Sequence, residues 1–226
     1  GADIVITGRV VDSALVLAPL IYEFDWTYTD YDLLASGSLA GHIIECGAQC
    51  TGGNYTDWKE VEGFHDIGFP IVEVERNGDF VVSKPDNTGG MITFGTVAEQ
   101  FLYEIGNPAE YILPDVVCDF TNVTIESIGE DLVQVRGASG SAPTDHYKVS
   151  ATYKDGYRVT GTLVIGGKKA GEKGKRIANA IIRKVSDLLI EQELGPFKAS
   201  SFDLIGTDSI YGSEHSNTHS REIVLR

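Results

Sequence analysis

The stretch Leu39–Gly53, LAGHIIECGAQCTGG, constrains this chain more than any other. Leu33, Leu34, Leu39, Ile43 and Ile44 recur at helical spacing and predict a helix from about Asp30 to Cys46. Gly47 to Asn54 is too glycine-rich to continue it, since each glycine in a helix interior costs roughly 1 kcal/mol against alanine. An apolar helix must therefore end here and pass into a tight loop. Ser36-Gly37-Ser38 predicts a break or bend inside the same helix. The stretch also gathers His42, Glu45, Cys46 and Cys50, more potential chemistry than any other segment holds.

The chain before and after can be read from the same rules. Ile4–Thr7 reads as a buried strand, and Asp12-Ser13 supplies a cap for a helix over Ala14–Phe24. In an α/β sheet, ligands sit beyond the carboxyl ends of strands, which would place Thr7, Gly8, Arg9 and Asp12 at such an edge. Arg9 and Asp12 fit an anion site and fit equally a local salt bridge plus cap. Ile71–Arg76 and Asp79–Lys84 alternate around Asn77-Gly78, a hairpin signal. Phe94, Val97, Phe101, Leu102 and Ile105 predict a helix over Thr93–Ile105, stopped by Asn107-Pro108.

From Asp115 the pattern changes to strand. Val123–Ile128 and Leu132–Arg136 flank Gly129-Glu130-Asp131, and Tyr147–Tyr153 and Tyr157–Ile165 flank Lys154-Asp155-Gly156. A long amphipathic helix follows over about Lys169–Glu193, with Ile177, Ala178, Ile181, Ile182, Val185, Leu188 and Leu189 as its stripe. A strand over Ser200–Ile205 precedes a polar tail, Gly206–Ser220, that reads as a mobile loop. The expected fold is mixed α/β: a β-α start, hairpins, then a mostly antiparallel β region packed by the long helix. Residues 1–114 and 115–226 divide the chain by pattern. Because Ile4–Thr7 and Arg221–Arg226 put strand patterns at both ends, the chain is expected to be a piece of a larger α/β protein, with an N-terminal part as its first partner.

Composition excludes several classes. A net charge of −15 lacks the basic surface that phosphate neutralisation needs, which argues against nucleic acid and against anionic membranes. No run approaches the ~20 apolar residues of a membrane span. Three cysteines, an odd number and widely placed, do not form a disulfide framework and point to a reducing, cytoplasmic setting. Asn54-Tyr55-Thr56 and Asn122-Val123-Thr124 match the glycosylation pattern, without any sign of secretion.

The motifs leave alternatives open. His42, Cys46 and Cys50 at i, i+4 and i+8 would share a helical face, but the glycines interrupt it and no fourth ligand is evident, so no metal site is expected. Cys46 fits a nucleophile with His42 one turn back as its base. A helix C-terminus and the adjacent Glu45 both disfavour its thiolate. Glu45 itself fits a general base or a positioning carboxylate. Thr51-Gly52-Gly53 and Thr88-Gly89-Gly90 are twin turns whose amides could converge on an anion, or could be tight turns needing glycine conformations. Lys168–Lys175 fails the phosphate-loop pattern, with Lys169 where the first glycine belongs and Arg176 after Lys175. No cofactor motif is evident.

The ordered set GADIVITGRVVDSALVLAPLIYEF, LAGHIIECGAQCTGGNYTDW, GFPIVEV, TVAEQFLYEIGNPAEYILPDVVCDF and YKVSATYKDGY resembles the AtuA-like family, named for acyclic terpene utilisation. The resemblance runs from Gly1 to about Tyr211. It implies an α/β fold, an N-terminal region of similar size before this segment and a smaller domain after it. It also implies a role in acyclic terpene or branched-chain acyl-CoA breakdown, with a small-molecule substrate and an acyl-CoA as the ligand to consider. The matching positions are Gly8, Arg9, Asp12, His42, Glu45, Cys46 and Gly47, the two Thr-Gly-Gly turns, and Glu99, Gln100 and Tyr103. Cys50 departs from the family's usual apolar residue, and Met91 replaces its usual leucine. Two functions follow as expectations. One is an enzyme with Glu45, Cys46 and His42 as catalytic candidates and Arg9, Asp12, Glu99 and both turns holding substrate. The other is a non-catalytic binding or assembly protein for acyl-CoA carboxylase-type partners, with self-association left open.

Overall fold

A computed structural model describes residues 2–212 and 219–226. It is a mixed α/β chain with antiparallel sheets, divided by its internal contacts into a unit ending at Ser150 and a unit from Ala151 to Arg226. The change of pattern at 115 does not coincide with that division, because the strands up to Ser141 pack within the first unit.

The first unit is built around one helix. Helix α1 (Ala14–Phe24) and helix α2 (Tyr31–Glu45) pack against each other, and β1 (Ile71–Val74) and β2 (Phe80–Ser83) form the expected hairpin. Helix α3 (Phe94–Leu102) follows, then β3 (Tyr111–Ile112), β4 (Val117–Asp119), β5 (Thr124–Gly129), β6 (Leu132–Arg136) and β7 (Ser139–Ser141). The strands make two sheets, β1-β2-β6-β5 and β3-β4-β7. Helix α2 touches α1, α3, β1, β4 and β7, and every residue from Leu34 to Ile43 is buried. A helix enclosed on all sides needs small residues where neighbours press closest, and this accounts for the Ser-Gly-Ser sequence. A Cβ on Gly37 would stand 2.7 Å from Leu17 Cδ1, and one on Gly41 would stand 2.6 Å from the Ser13 backbone. The break expected at Ser36-Gly37-Ser38 is thus absent: the glycines are notches that admit α1, and the helix runs through them.

Two expected strands differ. Ile4–Thr7 has no strand partner, and Ile4, Val5 and Ile6 are 81, 74 and 92% exposed. Tyr147–Tyr153 likewise forms no ladder. Alternation of apolar residues marks the propensity to pair, but a strand exists only where another strand supplies its hydrogen bonds. The expected Asp12-Ser13 cap also differs, since Ser13 holds the N-cap position of α1 without a side-chain bond.

The second unit is smaller. Strands β8 (Leu163–Gly166), β9 (Leu204–Ile205) and β10 (Glu222–Leu225) pair antiparallel in the order β8-β10-β9, and helix α4 (Ala170–Glu191) lies on them. Its core is Ile165, Ala170, Ala178, Leu204, Ile223 and Leu225. The residues that α4 buries are Ala170, Gly174 and Ala178, not the full stripe expected to Leu189. Strands of two to four residues span about 7–13 Å, while a helix of this length spans about 33 Å, so the sheet covers only its first half. Ile181 and Leu188 consequently stay 49 and 37% exposed. Strand pairing from Tyr157 is also shorter than expected and begins at Leu163. Within the polar tail, residues 213–218 lie outside the described residues. Among the described residues, no helix is long and apolar enough to cross a membrane.

Candidate active site

The C-terminal end of α2 opens into a cavity of about 480 Å³ that α1 and the end of α3 complete. Its apolar wall is Leu15, Val16 and Ile44, and its polar groups are Arg9, Asp12, Glu45, Cys46, Tyr103 and Glu104. The size falls within the roughly 300–1,000 Å³ of small-molecule sites. The local sequence explains why these groups meet. Val16 faces across to Ile44 only because Gly41 lets α1 approach α2, which also brings Asp12 up to the last turn of α2.

Glu45 is the centre of this group. Its carboxylate shares a 3.0 Å hydrogen bond with His42 Nδ1, one turn earlier on the same helix. The glutamate side chain is 14% exposed and the histidine 4%. Burial pushes the Glu45 carboxyl above its ordinary range; His42 opposes the rise, and the nearby Asp12 carboxylate adds to it. Asp12 in turn is clasped by Arg9, with Nη1–Oδ1 2.8 Å and Nη2–Oδ2 3.0 Å. The cavity wall thus holds two bonded pairs, Arg9–Asp12 and Glu45–His42, with the two carboxyls near enough to influence each other, from an arginine that is 84% exposed to an enclosed imidazole. Such an arrangement can accept, hold and return a proton at the Glu45 carboxyl.

Gln100 of α3 fixes the far side. It is fully buried, and its Nε2 donates to the His42 carbonyl at 2.8 Å. This satisfies one of the carbonyls left open near a helix C-terminus. Among the described residues, Gln100 Oε1 and His42 Nε2 find no hydrogen-bond partner. The ring of Tyr111 stands 6.5 Å from that of His42.

The cysteines divide by environment. Burial pushes the Cys46 thiol up, Gln100 offsets part of the rise, and Glu45, Glu104 and Asp12 add to it. Its sulfur is therefore held as the neutral thiol, the weaker nucleophile. Cys50 is fully buried, with its thiol pushed up to about 12, and Cys118 is likewise buried and pushed up to about 12. Cys50 belongs to the core with Leu39 and Ile43. Among the described residues, no group of three His, Cys, Asp or Glu side chains is placed to hold a metal ion.

The two Thr-Gly-Gly turns do meet, but away from this cavity. Met91 N donates to the Thr51 carbonyl at 3.0 Å, and Gly90 packs on Thr51. Their amides are already used: Gly52 N donates to Gln49 O, Gly53 N to Ala48 O, Gly89 N to Asp66 O and Gly90 N to Glu62 O. Thr51 Oγ1 donates to Gly68 O at 2.6 Å and Thr88 Oγ1 to Pro85 O at 2.7 Å. Gly89 crosses the Gly63 backbone so closely that no side chain fits. Lys84, 8% exposed, braces the second turn by bonding Thr88 O and pairing with Asp131. Glu99 accepts from Thr56 N with both carboxylate oxygens at 3.2 Å and stands outside the cavity lining.

Of the candidates read from the sequence, the structure thus gathers Arg9, Asp12, Glu45 and Cys46 at one cavity with His42 directly behind. It places Thr51, Gly52, Gly53, Thr88, Gly89, Gly90 and Glu99 in the scaffold. Leu15, Val16, Gly41, Ile44 and Glu104 line the cavity without having received a site role from the sequence, and Tyr103 entered there only as a position matching the family. Gln100 likewise entered only as a matching position; an amide next to Phe101 and one turn from Val97 in a predicted helix was its signal in the sequence.

A family model described as acyclic terpene utilisation family protein AtuA matches residues 1–226, the whole chain. No curated protein and no solved structure matches.

Proposed function

This chain belongs to the acyclic terpene utilisation family AtuA, and from that premise we propose that it is an enzyme acting on a terpenoid or branched-chain acyl compound, with Glu45 transferring the proton. The observation that carries the reading is the position of Glu45: a carboxyl of raised proton affinity in the wall of an open cavity, with His42 behind it and Asp12 beside it. Matching a group's pKa to the working pH is how enzymes prepare a carboxyl for acid–base work. Leu15, Val16 and Ile44 offer an apolar surface for a branched chain, which orients the reacting carbon by packing rather than by charge.

In this reading His42 orients the Glu45 carboxyl and moderates its charge, Gln100 holds the end of α2 in place, and Cys46 is a neutral wall residue. The polyphosphate part of an acyl-CoA would meet three carboxyl side chains and the single Arg9 guanidinium at this wall, so in this reading the acyl end alone enters the cavity. The test is turnover of terpenoid and branched-chain acyl thioesters by the full-length protein and its Glu45→Gln variant. The expected loss is about 10²–10⁴-fold in kcat with folding intact, the usual worth of a positioned acid–base group. Equal turnover by both proteins sinks this role for Glu45.

A second reading draws on a different feature. Tyr147, Val149, Tyr153, Tyr157 and Val159 are each at least 76% exposed in an alternating row. Such a row suits strand addition to a partner, which favours an assembly role with carboxylase-type proteins or with a second copy. Size-exclusion measurements on Tyr153→Lys and Tyr157→Lys variants separate it, since an assembly role requires the complex to dissociate.

A further inference from the structure

Resting on the reading of the Glu45 cavity as a substrate site, we infer that it receives the uncharged, hydroxyl- or carbonyl-bearing end of a branched apolar chain and turns away the corresponding free carboxylate. The argument is one of charge accounting at the wall. Three carboxyl side chains face the cavity, Asp12, Glu45 and Glu104, against one guanidinium, Arg9. That guanidinium pairs with Asp12 through two parallel contacts of 2.8 and 3.0 Å, so its charge is balanced there and the other two carboxyls of the wall face no further cation among the lining residues. An incoming carboxylate would have to share the Arg9 guanidinium with Asp12, against the charge of three carboxyl groups, or lie unpaired beside the apolar wall. Desolvating an unpaired carboxylate is the most expensive of these options.

A hydroxyl or a carbonyl meets no such barrier. The Glu45 carboxyl donates to either oxygen when protonated and accepts from a hydroxyl when ionised. The Tyr103 phenol stands at the same wall. Discrimination of this kind resembles a site built to hydrogen-bond one group, which rejects an analogue by leaving charges unpaired. Arg9, which reads in the sequence as an anion clamp, becomes in this account a counter-ion for Asp12 and a determinant of specificity.

Cys46 supplies a direct readout. It lines the cavity and is partly accessible, whereas Cys50 and Cys118 are buried, so maleimide labelling followed by mass spectrometry reports the cavity alone. The probes are a branched acyclic C10 alcohol and the carboxylic acid of the same skeleton, titrated at pH 8 against the full-length protein. The alcohol is expected to protect Cys46 at a concentration at least tenfold below that of the acid. Asp12→Asn releases Arg9 and removes one carboxylate, and should improve protection by the acid about tenfold while leaving the alcohol within threefold. Glu104→Gln, at an exposed position and nearly the same size, should narrow the gap in the same direction.

Protection by the acid equal to or better than that by the alcohol overturns the inference while keeping the cavity as a substrate site. Absence of protection by either probe overturns both. An acid affinity unchanged in both variants also overturns it, because the carboxylates would then play no part in selection.

Discussion

Glu45 carries a pH signature that can be read without knowing the substrate. Burial raises its proton affinity in the folded chain, His42 opposes this and Asp12 reinforces it. The folded protein therefore holds this proton more tightly than the unfolded chain does. A raised carboxyl contributes its stabilisation fully below the unfolded-state value, and that contribution is lost as pH climbs through the folded value. Glutamine is neutral throughout, so Glu45→Gln should match the wild type near pH 4 and gain on it towards pH 8. The expected advantage is roughly 1–3 °C in Tm for a chain of this size, followed by thermal denaturation across pH. A constant difference across that range contradicts the assignment. Cys46 gives a second residue-scale test: with its thiol pushed up among carboxylates, Cys46→Ser should keep kcat within about threefold, whereas a nucleophile would lose 10³-fold or more.

At the scale of elements, α2 explains both the core and the site. Its glycines look like helix defects in sequence and act as contact surfaces in the fold. Gly41→Ala gains up to ~1 kcal/mol in helix propensity but places a methyl 2.6 Å from Ser13 backbone atoms that cannot yield cheaply. Overpacking of this kind costs about 1–3 kcal/mol, and α1 with Asp12 would be pushed from Glu45. Urea denaturation should show the loss, and Cys46 labelling should rise as the cavity opens. A more stable Gly41→Ala protein contradicts the notch. The helices, the Asn77-Gly78 hairpin and the β5–β6 pair were legible because their signals are local: periodicity, a turn dipeptide, a stop. What was not legible depended on distant partners. Ile4–Thr7 has strand composition without a neighbour, and the Thr-Gly-Gly amides find acceptors at Ala48, Gln49, Glu62 and Asp66 that no spacing rule connects to them. For the site, Glu45 and His42 were visible as an i, i+3 pair. Asp12 reaches them only through the crossing of α1 over Gly41, a tertiary fact.

For the whole molecule, the segment between the last strand of the first unit and β8 is the longest described stretch without helix or strand. Residues 142–162 form no helix or strand, and Tyr147, Tyr153, Tyr157 and Val159 are among the most exposed apolar side chains described. Each flanking unit has its own core, one around α2 and the other between α4 and its sheet. Proteases need an extended, unpaired segment of chain, so cleavage should begin where neither core protects the backbone. Lys148, Lys154 and Arg158 supply trypsin sites within this segment. Limited trypsinolysis followed by mass spectrometry should therefore cut first between 148 and 159, and leave α2 and the Glu45 cavity on one resistant fragment. The basic residues of α4 give an internal control, since Lys175, Arg176, Arg183 and Lys184 are equally reachable by charge but lie in a continuous helix. First cuts in α4 would mean that its half-covered face leaves the helix less stable than the extended segment. A full-length protein resistant at 148–159 would mean that a partner or a second copy pairs with the tyrosine row, the outcome that the assembly reading requires.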